Sequence, residues 1–123
     1  DSTSATAITL PLCRAGAVGV TYKFVVKTAN TAGYTIVTGD ITDSTGDVFV
    51  GGLDQSGTGG ASSHVAAANE NTITLDSDAT NGGGSVGSYV ECTMISATQW
   101  LIHGFVVTAD ADGTGAALLS NAD

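Results

Sequence analysis

Apolar and polar residues alternate with a period of two along much of this chain, which is the pattern of a half-buried β-strand. Ala7–Leu12 (A-I-T-L-P-L) sets Ile8, Leu10 and Leu12 on one face. Pro11 has no N–H to donate, so that strand should end there or lie at a sheet edge. Val20–Thr28 carries Val20, Tyr22, Phe24 and Val26 on one face and Lys23 and Lys27 on the other, predicting a half-buried strand. Tyr34–Thr38, Asp47–Gly51 and Thr72–Leu75 predict short strands. Val86–Ile95 and Trp100–Thr108 predict two long ones joined as a hairpin through Ser96–Gln99, and Ala116–Leu119 a last short one.

Turn-forming residues separate these segments. Arg14–Gly19, Asn30–Gly33 and Gly39–Gly46 read as turns. Gln55–Ser63 (Q-S-G-T-G-G-A-S-S) reads as a long flexible loop, and Asp76–Ser85, with its Gly82-Gly83-Gly84 run, as a mobile one. His64–Glu70 fits either one helical turn or a loop. No segment of useful length shows a helical period. Strands of four to nine residues with turns between them predict an all-β antiparallel β-sandwich or small barrel-like domain with long Gly/Ser-rich loops. At 123 residues the chain has the length of one ordinary domain, residues 1–123, with 1–7 as an extended N-terminal arm.

Composition narrows the function classes. Apolar residues make up 42% and charged residues only 12%, with Ser, Thr, Asn, Gly and Ala in place of charge. The net charge is −9, and the only cations are Arg14, Lys23 and Lys27. Phosphate neutralisation needs several Lys or Arg, so no nucleic acid partner is expected. An anionic membrane surface is disfavoured for the same reason, and no apolar run approaches the length of a membrane span. No basic-then-apolar leader is visible, either. The acidity suits a protein that stays soluble at high concentration.

Candidate chemistry is sparse. Cys13 and Cys92 read as two buried thiols in preference to a disulfide, and no C-x-x-C motif is present. Ser62-Ser63-His64 lacks a G-x-S-x-G elbow. Cys92 with His103 offers a thiol–imidazole pair on paper, but both alternate with apolar neighbours and read as strand positions. Glu91 is the only strand carboxylate. Asp40, Asp43 and Asp47, Asp76 and Asp78, and Asp110 and Asp112 cluster in three turns. Loop oxygens of this kind can hold calcium, yet none follows EF-hand spacing, and Asp caps turns in its own right. Trp100 reads as a core residue, with a sugar-stacking or interface role as the alternative. The glycine pairs do not form a phosphate cradle. The expectation is no enzyme, no catalytic residue, no metal and no cofactor.

The order of segments resembles that of small β-rich head proteins of tailed bacteriophages. Ile8-Thr9-Leu10-Pro11, Ala15-Gly16 and Tyr22-Lys23-Phe24-Val25-Val26 are similar to a strand ending in TLP, a Gly turn and a YxFxV strand. Tyr34–Val37 and Gly46–Gly51 look like the next two elements, xTIxT and GDxFxG. Thr72–Leu75 through Val86–Glu91 is similar to TITL…VGDxVE, and Ser96–Gly104 to SDGTxWxVxG, with Ala97-Thr98 where the pattern has Asp-Gly. The resemblance covers residues 7 to 108. It implies a capsid decoration (cement) protein: a homotrimer on the outer surface of the virion head, assembled in the host cytoplasm and clamping the major capsid protein. The alternative is a tail or fibre domain that binds a host surface glycan. Edge strands and termini can pair with a neighbour's sheet, so the small, β-compatible Ser2, Thr3, Ser4, Ala5 and Thr6 are the expected capsid or subunit contacts. The three classes make different demands: a cement protein needs apolar strand faces and no pocket, a glycan binder an exposed aromatic beside carboxylates, and a hydrolase a dyad or triad in a cleft.

Overall fold

The longest alternating segments organise the molecule, a computed structural model in which residues 5–42, 45–77, 82–108 and 118–121 are described. Gln99–Val107 alternates buried and exposed along its whole length, because Trp100, Ile102, Gly104 and Val106 face the core. It pairs antiparallel with Tyr89–Met94, whose Val90, Cys92 and Met94 face the same way. That is the expected hairpin, closed by Ile95 N–H donating to the Gln99 carbonyl.

In chain order the strands are β1 (Thr6–Thr9), β2 (Thr21–Val25), β3 (Tyr34–Val37), β4 (Val48–Gly57), β5 (Gly60–Val65), β6 (Thr72–Leu75), β7 (Tyr89–Met94), β8 (Gln99–Val107) and β9 (Leu119–Ser120). They form two sheets, one ordered β1-β3-β6-β9 and the other β2-β7-β8-β4-β5. The sheets pack face to face as a β-sandwich and do not close into a barrel. Ile36, Ile73, Leu75 and Leu119 from the four-stranded sheet meet Phe49, Leu53, Val90, Met94, Trp100, Ile102 and Val106 from the five-stranded one in a single buried cluster. A large aliphatic or aromatic side chain buried this way is worth about 1.5–3 kcal/mol, so the inner faces carry the fold's stability.

The sheets are mixed where an antiparallel fold was expected. β1 runs parallel to β3, and β4 parallel to β8. The chain crosses between layers: β2 of the five-stranded sheet intervenes between β1 and β3. The β5, β6 and β7 strands intervene between β4 and β8. Parallel neighbours need such a crossover, because a tight turn can join only antiparallel ones.

Four local expectations are corrected. Gln55–Ser63 is not a flexible loop: β4 continues through Gly57, turns at Thr58-Gly59 and returns as β5. His64 and Val65 complete that strand, so the His64–Glu70 segment does not start as a helical turn. Gly82–Gly84 is packed, not mobile. A Cβ at Gly82 would sit 2.5 Å from both Gln55 Nε2 and Thr108 Oγ1, and Gly83 bridges to Asp76. Finally, β2 is an edge strand with its apolar face only partly covered: Val26 is buried but Val20 and Tyr22 are exposed.

Pro11 behaves as its chemistry requires. β1 is the edge strand of its sheet and ends at Thr9, with Leu10 N–H still donating to the Val37 carbonyl. Of the N-terminal arm, Ala5 is exposed and Thr6 is already strand, its N–H taken by the Gly33 carbonyl. Ser2, Thr3 and Ser4 lie outside the described residues, as do Ala116 and Ala117 of the last predicted strand.

Candidate interaction surface

Register places the outward side chains of the five-stranded sheet in rows. One row runs Val25, Tyr89, Phe105, Asp54, Ser63; the next runs Lys23, Glu91, His103, Gly52, Val65; a third holds Thr21, Thr93, Leu101 and Val50. Four large apolar residues are exposed on this face: Val65 is 75% exposed, Val25 60%, Leu101 41% and Phe105 40%. They alternate with Lys23, Glu91, His103, Asp54 and Thr93, so the face mixes apolar and polar side chains in the way that protein-contact surfaces do. The polar members are held in place. Lys23 Nζ sits 4.7 Å from the Tyr89 ring centroid, and Tyr89 lies 6.4 Å from the His103 ring. Ser63 Oγ donates to Asp54 Oδ1 at 2.7 Å.

Two grooves border the face. One, of about 360 Å³, opens between the sheets at their β1 and β2 edges, floored by Ile36 and Leu75 and walled by Ile8 and Phe24–Thr28. The other, of about 350 Å³, lies over the β4–β5 hairpin between Phe105, Asp54, Ala61 and Ser63. A pocket-free surface is therefore not what the chain presents.

The candidate catalytic groups do not assemble. Cys92 is buried on the inner face while its neighbour across the ladder from Glu91, His103, is exposed on the outer one, so thiol and imidazole lie on opposite sides of the sheet. Burial, then the neighbouring Glu91 charge, pushes the Cys92 thiol up to about 12. Cys13 is also a free thiol. Burial and the Asp47 carboxylate push it up to about 12, and its N–H donates to Asp47 Oδ2 at 2.8 Å. Neither thiol supplies a nucleophile at neutral pH.

Ser62, His64 and Gln55 do meet, a cluster the sequence reading considered only as a missing elbow. His64 Nε2 is 2.6 Å from Gln55 Oε1 and 3.4 Å from Ser62 Oγ. The direction of the short bond follows the imidazole tautomer and the orientation of the Gln55 amide, which is neutral either way. A Ser–His relay needs the serine on one ring nitrogen and an orienting acid on the other. Here both contacts fall on one nitrogen and the orienting group is neutral. Burial also holds the His64 pKa below its usual value. The arrangement ties β5 to β4 across a buried glutamine and does not activate Ser62.

The aspartates behave as turn caps. Asp40 Oδ1 accepts from Thr42 Oγ1 (2.6 Å) and Thr42 N–H (3.0 Å), and those bonds lower its pKa. Asp47, only 4% exposed, instead faces Cys13, and its carbonyl accepts from Thr38 Oγ1. No group of three metal-ligating side chains occurs among the described residues; Asp43, Asp78, Asp110 and Asp112 lie outside them. Trp100 is fully buried (0% exposed) with its ring 5.9 Å from Tyr22, so it offers no sugar platform. Its indole N–H has no hydrogen-bond partner there. The exposed aromatic beside a carboxylate is Phe105, whose register partner on β4 is Asp54. Phe105 was legible only as an alternating strand residue. It is exposed because no described residue packs over the outer side of the sheet there.

Compared with known proteins, the chain matches no family model, no curated protein and no solved structure.

Proposed function

We propose that this chain is a structural protein that works by surface association: a decoration protein that binds the outer surface of a phage head lattice, as a trimer, and stabilises it. The observation that carries the reading is the outer face of the five-stranded sheet, with Val25, Leu101, Phe105 and Val65 exposed on a rigid sandwich. An acidic, sparsely charged sandwich with such a face is built to adsorb to another protein surface. The segment order, which resembles that of phage head proteins, supports the major capsid protein as that surface. Ala5 and Thr6, at the start of the edge strand β1, would extend the contact by strand pairing. On this reading the chain performs no chemistry.

The test is co-sedimentation of the purified chain with phage heads that lack it. Saturable binding at a fixed ratio to the major capsid protein, weakened by Phe105→Lys, supports the reading; absence of saturable binding contradicts it. A second reading has one observation in its favour: Phe105 and Asp54 together border the hairpin groove as a glycan site would require. Binding of host-surface glycans, lost in Phe105→Ala and in Asp54→Asn, would move that reading to the front.

A further inference from the structure

Among the described residues no further strand pairs with either edge strand of the five-stranded sheet, β2 or β5, and the two edges differ in charge. On the β2 side, Met94 N–H donates to the Val20 carbonyl and Val26 N–H to the Ser88 carbonyl. In an antiparallel ladder the bonded residues alternate, so Tyr22 and Phe24 point their backbone groups at β7 while Thr21, Lys23 and Val25 point theirs outward. On the β5 side, Ala66 N–H donates to the Gly51 carbonyl. By the same alternation His64 and Ser62 face β4, and Ala61, Ser63 and Val65 face outward. Among the described residues, each edge therefore presents three residues whose backbone donors and acceptors no ladder uses.

Lysine in the middle of an edge strand normally keeps other strands away. Lys23 and Lys27 are two of the three cations in a chain of net charge −9. A two-fold pairing of β2 with β2 centred on Lys23 would set lysine against lysine, which destabilises a sheet. The β5 edge carries no lysine or arginine and has the exposed Asp54 one strand behind it. Lys23 of an added β2 would stand two strand spacings, about 10 Å, from Asp54, within the screening distance at moderate salt.

We infer that a second copy of this chain docks its β5 edge on the β2 edge of the first, continuing the five-stranded sheet from subunit to subunit. The contact is heterologous, since it joins two different patches, and closes into a ring if the rotation permits. Because β1 and β2 border one groove, the same apposition covers the apolar opening between the sheets. This association requires no capsid: it stands if the chain binds no heads, and a chain that binds heads as a monomer keeps the attachment of the decoration reading and loses the trimer.

The test is sedimentation of the full chain at varied concentration and salt. In about 50 mM salt the mass rises with concentration above the monomer's 12.1 kDa, and added salt reverses this. Lys23→Glu alone and Asp54→Lys alone each weaken association about tenfold at low salt, and an equimolar mixture of the two recovers it. Both side chains are exposed, and each variant keeps a cooperative melt. Val25→Pro and Ser63→Pro remove outward N–H groups that neither internal ladder uses. Each is monomeric alone, and their mixture stops at a dimer, because each copy keeps one competent edge. A wild-type chain that stays monomeric at millimolar concentration, a charge variant that associates like wild type, or a proline variant that still self-associates would each overturn the inference.

Discussion

Gly104 sits at the centre of β8, flanked by Val90 of β7 and Leu53 of β4. Replacing it with alanine separates two physical effects of opposite sign. Strand propensity alone favours alanine over glycine by about 0.5–1 kcal/mol. Against that, the new Cβ would lie 2.3 Å from the Tyr89 carbonyl oxygen, 3.0 Å from Val90 Cα and 3.1 Å from Leu53 Cδ2. Two of those three atoms are backbone of a strand already held in register, so no side-chain rotation relieves the clash. With backbone on two sides, forcing a methyl group into such a site costs the top of the usual overpacking range or slightly more, about 3–4 kcal/mol, and sterics outweigh propensity. The net loss is about 2–3 kcal/mol, or a fall of about 8–12 °C in melting temperature for a chain of this size. Gly16→Ala is the control: nothing lies within 4 Å of its Cβ position, and its stability should stay within about 0.5 kcal/mol of wild type. Urea denaturation followed by far-ultraviolet dichroism measures both. A Gly104→Ala variant as stable as wild type would refute the β7–β8–β4 register on which the outer face depends.

The pH dependence of stability follows from the shifted groups. Both thiols are pushed from 9.0 to about 12 in the folded state, so the folded chain holds its protons longer and stability falls as pH rises from about 9 towards 12. Cys92→Ala should flatten that slope in alkaline denaturation curves, and both cysteines should resist thiol reagents at pH 8 until the chain unfolds. His64 is depressed below 6.5, so the unfolded chain takes up its proton first and stability is lost as pH falls below about 6.5. His64→Gln should reduce that acid-side loss, read by the same melts between pH 7 and 5. Trp100 fluorescence should be blue-shifted, shielded from acrylamide and indifferent to added saccharides, since the ring is buried. Phe105→Lys and Leu101→Ser should change the melting temperature little, since both residues are substantially exposed, while weakening particle binding.

Much of the sandwich is written in the alternation itself. Thr72–Leu75 is β6 residue for residue, and Tyr89–Met94 with Gln99–Val107 is the expected hairpin. Pro11 ends its edge strand because a residue without an N–H cannot extend the ladder. Two kinds of feature were not legible. Gln55–Gly57 and Gly60–Ser63 have turn-like composition, yet they pair because neighbours on β8 and in the buried Gln55–His64 contact hold them extended. Composition reports local preference, and tertiary contacts overrode it. The parallel pairings β1–β3 and β4–β8 join segments that are far apart in sequence, a relation alternation does not encode. The outer face was not legible: alternation sets Leu101, His103 and Phe105 on one side of their strand, but which side faces out is a property of the whole sandwich.

The central claim is attachment to a capsid surface, and imaging of intact particles with and without this chain tests it most directly. The account predicts density in repeated copies over the head lattice, with the β1 edge and the outer face bearing Phe105 and Leu101 in the contacts, and heads that rupture more easily when the chain is missing. Density confined to the tail, or no association with particles, would contradict it.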